Sequence, residues 1–165
     1  MHVLIATAGA LPPGPVADFL ERIWRPGFKA SVVTAIQVPR DFLDTLAEES
    51  VEWSPLYPDE PNETTGDDAA IAAYVTERGH RLAEPVIAAV TARGIAAQAI
   101  YVDGSDAASA ILSTADALGA DLIVMGATKR LFDDGSWDSV SSRVVEMGQV
   151  PTVMVPGARP DPDED

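Results

Sequence analysis

Two short, unbroken apolar runs stand out in a chain that is otherwise striped: Val3-Leu4-Ile5-Ala6 and Leu122-Ile123-Val124-Met125. Runs of that length without alternation predict strands buried on both faces, as in a parallel sheet covered by helices. Between them the apolar positions recur with helical spacing. Val16, Phe19, Leu20, Ile23 and Trp24 form one stripe, with Gly14 as its cap, Pro15 at the first helical position and Pro26-Gly27 as its stop. Residues 30–38, rich in β-branched side chains, predict the next strand. A long helix over about 67–93 carries Ile71, Tyr74, Val75, Leu82, Val86 and Val90. It ends at Gly94 and is kinked near Arg81, where Pro85 removes a backbone hydrogen bond.

Residues 96–102 predict a further strand, and Ala108, Ile111, Leu112, Ala115 and Leu118 stripe the helix after it, with Ser105 as cap. A polar loop over 127–135 leads to a helix over 136–148 that packs through Val140, Val144 and Met147. A strand over 150–155 closes the pattern. Only residues 39–68 break it: Phe42, Leu43 and Leu46 suit a short helix, and Trp53, Leu56 and Tyr57 among prolines suit a flap. The alternation predicts a single-domain, doubly wound α/β fold over residues 1–157, with an irregular excursion at 39–68. The tail 158–165 is too acidic and proline-rich to fold.

Composition narrows the chemistry. With no cysteine among 165 residues, thiol catalysis, disulfides and thiolate metal sites are excluded. His2 and His80 are far apart in sequence and no cysteine accompanies them, so no metal site is expected. The net charge of −15 repels nucleic acid and anionic membranes, and no apolar stretch is long enough to span a bilayer. Val3 to Ala6 lacks the cationic flank of a signal peptide, so the cytoplasm is the expected location. Gly126, at the carboxyl end of a buried strand, marks where ligands of open α/β sheets sit.

The chain resembles the universal stress protein family. The residues that carry the likeness are Leu118-Gly119-Ala120-Asp121-Leu122-Ile123-Val124-Met125-Gly126, Ser139-Val140-Ser141-Ser142-Arg143-Val144-Val145, and Val150-Pro151-Thr152-Val153-Met154-Val155. The resemblance implies an open, parallel five-stranded sheet in the order 3-2-1-4-5, of the adenine-nucleotide alpha-hydrolase-like kind, with helices on both faces. It also implies homodimers and, in one branch of the family, ATP binding. That branch carries G-x-x-G, a spacer, then glycine and a hydroxyl residue, so that backbone amides and a helix N-terminus meet the phosphates.

Here Gly126 matches the first glycine and Ser139 the hydroxyl. Lys129 and Asp138 replace the other two glycines, and the spacer is one residue shorter. Asp133, Asp134 and Asp138 add negative charge beside the phosphate position. Like charges about 4 Å apart repel by roughly 4 kcal/mol at an effective dielectric of about 20. Ala8 stands where binding members end their first strand with an aspartate.

The expectation is therefore a dimeric, cytoplasmic stress or signalling module without tight ATP binding, paired through the 150–155 edge. A further protein partner stays open. The alternative is a sensor of ATP or another adenine nucleotide. Its candidate contacts are Thr7, Gly9, Val38, Gly126, Thr128, Lys129, Arg130, Ser139 and Val140. An enzyme is the third reading, on Ser105 with Asp103 and Asp106, or Ser136 with Asp134. A serine nucleophile needs a base, and neither histidine is expected near a strand's carboxyl end, so a non-enzyme is expected.

Overall fold

The computed structural model describes residues 1–51, 64–104, 106–127 and 139–157. The expected flap residues Trp53, Leu56 and Tyr57 and the tail 158–165 lie outside the described residues. In chain order the elements are β1 (His2–Ala6), α1 (Pro13–Ile23), β2 (Lys29–Ile36), α2 (Arg40–Val51) and α3 (Thr64–Thr91), then β3 (Ala97–Asp103), α4 (Ala107–Leu118), β4 (Leu122–Gly126), α5 (Val140–Met147) and β5 (Thr152–Val155). Among the described residues the five strands form one parallel sheet in the order β3-β2-β1-β4-β5, the order implied by the resemblance.

β1 is the centre of that sheet, and its unbroken apolar run is explained by what lies on each side. Val3 and Ile5 face α1 and α3, packing with Val16, Leu20, Val86 and Val90. Leu4 and Ala6 face α4 and α5, packing with Ala108, Ile111 and Val144. Both faces are buried, so no polar position is tolerated between. Each fully buried Leu, Ile or Val contributes about 1.5–3 kcal/mol relative to exposure. The register sets Val3 beside Ala30 on one side and Leu122 on the other. A one-residue slip would exchange the two faces and lose both packings.

Several element ends differ from expectation for local reasons. α1 begins at Pro13, not after Gly14: Pro12 is the N-cap and a proline occupies the first turn, where a missing N–H has no partner to lose. β2 stops at Ile36, leaving Val38 two residues beyond it. The excursion after it is helical over Arg40–Val51, and α2 is tied to α3 by the Phe42 and Tyr74 rings, 4.8 Å apart. α3 continues as helix on both sides of Pro85. It closes where the Gly94 and Ile95 amides donate back to the Thr91 and Val90 carbonyls, at 2.8 and 3.2 Å.

Two corrections concern the last two helices. Asp106, not Ser105, caps α4, its carboxylate accepting from the Ala108 and Ser109 amides; Ser105 itself lies outside the described residues. α5 begins at Val140 and does not pack through Val140 and Met147, which are 39% and 53% exposed. Val144 and Ser141 are its buried side chains. Among the described residues β5 is the last strand of the sheet.

Candidate functional site

At the carboxyl ends of β1 and β4 the connections leave in opposite directions. β1 leads to α1 on one face of the sheet and β4 to α5 on the other. A switch point of this kind, where the helices that follow two neighbouring strands lie on opposite faces, is where open α/β sheets form a crevice. A cavity of about 300 Å³ lies there, at the lower end of the range for small-molecule sites. Ala6 and Thr7 from the end of β1, Ala35 from β2 and Met125 and Gly126 from β4 form its floor. Ala8, Ala10 and Leu11 close one side, and the heads of α4, with Ala107, and of α5, with Ser139 to Ser141, close the other.

The lining is dominated by methyl groups, and the hydroxyls of Thr7, Ser139 and Ser141 beside it make hydrogen bonds within the chain. Thr7 is buried, its Oγ1 accepting the Gly9 amide at 3.1 Å. That bond shapes the turn after β1, in which Gly9 takes a φ of +88°, a conformation that favours glycine. Ser139 caps α5: its Oγ accepts the Ser142 amide at 3.2 Å and lies 3.1 and 2.9 Å from the Ser141 and Ser142 hydroxyl oxygens. Asp106 is paired with a charged side chain of α5. Arg143 of α5 grips its carboxylate with both arms, at 3.0 and 2.7 Å, while the Ser109 hydroxyl donates at 2.9 Å. The Arg143 guanidinium first, and the Ser109 hydroxyl second, hold the Asp106 carboxyl down at about 2.

Of the candidate contacts, Thr7, Gly126, Ser139 and Val140 line the cavity. Gly9 stands behind the lining, its Cα turned toward Leu82, and half-buried Val38 lies past the end of β2. Thr128, Lys129 and Arg130 lie outside the described residues. Sequence reasoning missed Ala35 and Ala107, small residues at a strand end and a helix head, and it missed the Asp106–Arg143 pair. Those two side chains are 37 positions apart, and no periodicity links them.

The histidines stand away from the crevice: His2, at the opposite end of β1, has its ring Nε2 2.9 Å from the Ser31 hydroxyl, and His80 lies on the exposed side of α3 beside Glu84. Among the described residues no group of three or more His, Cys, Asp or Glu can hold a metal ion. None of the described helices is long and apolar enough to cross a membrane.

The sequence model described as "Universal stress protein family" matches residues 37–156. No curated protein matches the chain by sequence. Among solved structures, a universal stress protein family member from Burkholderia pseudomallei is 20% identical with a TM-score of 0.57, over 94% of this chain and 96% of that one. A member from Arabidopsis thaliana, solved with AMP bound, is 16% identical with a TM-score of 0.58, over 100% and 99%. The universal stress protein from Archaeoglobus fulgidus, solved in complex with dAMP, is 16% identical with a TM-score of 0.51, over 93% and 96%. At these identities the likeness to the solved structures is one of fold.

Proposed function

Since this chain belongs to the universal stress protein family, we propose that it works as a non-catalytic, cytoplasmic stress-response module that pairs with a second copy of itself and does not bind ATP tightly. The observation that carries this reading is the chemistry of the crevice. Its lining is largely methyl, the Ser139 hydroxyl is used in capping α5, and Ala8 brings no carboxylate to the end of β1. A triphosphate needs several amide or cationic donors around it. The sequence of the following loop, with Lys129 and Asp138 in place of glycines, points the same way.

The alternative, an adenine-nucleotide sensor, is favoured by the presence of a cavity at the switch point. The AMP and dAMP found in two relatives of the same fold lend it support. Equilibrium binding of ATP and AMP to the purified protein, with magnesium, decides between them. The expected dissociation constants are weaker than about 10 µM, and a tighter one for ATP would replace the first reading by the second.

A further inference from the structure

We propose that the crevice at the switch point is a binding site for a small, uncharged apolar molecule, about the size of one substituted aromatic ring. The proposal rests on the reading that this crevice does not hold ATP tightly, and it names the class of ligand that the space takes instead.

Main-chain donors at the two strand ends are already engaged. The Thr7 amide donates to the Val33 carbonyl at 3.0 Å and the Ala127 amide to the Val155 carbonyl at 2.8 Å, each prolonging a strand pairing by one residue. The Gly9 amide goes to the Thr7 hydroxyl. Leu11 is buried, and its Cδ1 lies 3.7 Å from where a Cβ on Gly126 would stand, so an apolar side chain lies against the exit from β4.

The space itself is lined mainly by carbon. Ala6, Ala35 and Ala107 contribute methyl groups and Leu11, Ile111 and Met125 larger apolar side chains, and among the described residues no charged side chain lines it. An ionised ligand entering such a space gives up hydrogen bonds to water that the lining does not replace. An apolar ligand gives up none, and the apolar area it removes from water drives its entry. Cavities with few polar partners hold water weakly and take apolar guests. The volume of about 300 Å³ has room for one ring and its substituents. The net charge of −15 adds a general bias against anions.

The test uses the full chain with toluene and benzoate, probes of like size of which only the second is charged, and follows the amide signals of the isotope-labelled protein by NMR. Toluene is expected to bind saturably, with a dissociation constant below about 2 mM, the range for a ligand of so few heavy atoms. Benzoate should bind at least about tenfold more weakly. Ala35→Leu fills the space from the end of β2 and should weaken toluene binding at least about tenfold. Ala107→Leu fills it from the head of α4 and takes the place of Ala35→Leu if that variant loses its cooperative melting transition. Met147→Ser removes an exposed apolar side chain at the other end of α5, and it should leave toluene binding within about twofold.

The absence of saturable toluene binding overturns the proposal, and so does benzoate binding within about tenfold of toluene. Toluene binding that persists in the folded filling variant, or that is lost in Met147→Ser, overturns it too. Tight ATP binding by the wild type, measured separately, would instead overturn the functional reading, so the two failures are told apart.

Discussion

Gly79 is buried in the middle of α3 with the Tyr101 side chain pressed against its Cα. A Cβ built there would stand 2.4 Å from the ring Cδ1, 2.6 Å from Cγ and 2.9 Å from Cβ. These atoms are the root of the ring rather than its free end, and they are anchored to β3, so they cannot swing aside. In an exposed helix interior, glycine to alanine stabilises by about 1 kcal/mol. Here the overlap reverses the sign, and Gly79→Ala is expected to destabilise by about 1–3 kcal/mol, the usual cost of overpacking. Urea melts of the two proteins check this, and a stabilised variant would mean that α3 and β3 separate more easily than their contact suggests. Burial, with the Glu84 charge as a smaller contribution, raises the pKa of the Tyr101 phenol above its ordinary value.

At the scale of elements, the joint between α4 and α5 is acid-sensitive in a defined window. The Asp106 carboxyl titrates at about 2 in the folded chain against 3.8 as its ordinary value. A group whose folded pKa is depressed contributes stability above its unfolded pKa, and that contribution is lost as pH falls through the folded one. The melting-temperature difference between the wild type and Asp106→Asn is therefore expected to hold steady from about pH 7 to 5 and to shrink from about pH 4 toward 2. A difference that instead changed between pH 7 and 5 would implicate another group. The same joint explains how short α5 holds its place: Val144 is fully buried, Ser139 caps its head and Arg143 ties it to α4.

For the whole molecule, the question is what covers the margin of the sheet. Among the described residues β5 pairs with β4 alone, and on α5 Val145 and Met147 are 56% and 53% exposed. An unpaired apolar edge invites another strand, and a second copy of the chain across β5 is the symmetric solution. Sedimentation equilibrium is expected to show a two-chain species rather than the 17.4 kDa monomer. Val153→Lys on that edge should shift it toward the monomer. A wild type that sediments only as a monomer would end the proposal of pairing.

Much of the fold was legible because its information is local. Unbroken runs such as Val3 to Ala6 require burial on both faces, helical stripes such as Val16 to Ile23 require one buried face, and their alternation leaves few topologies. The order of strands came from family resemblance rather than from periodicity, since no local pattern records which strand lies beside which. Capping was less legible: Ser105 and Asp106 are both good caps, and the choice fell to the residue that Arg143 also binds. The stripe of Val140, Val144 and Met147 is equally apolar at each position, and which of the three is buried depends on packing that the stripe does not record. By itself the sequence determined the elements, the parallel sheet and the strand ends at which a ligand would sit, because each depends on neighbours a few residues away. The tertiary structure alone decided the crevice's methyl lining and the pairing of Asp106 with Arg143, because those groups meet only after distant segments have packed.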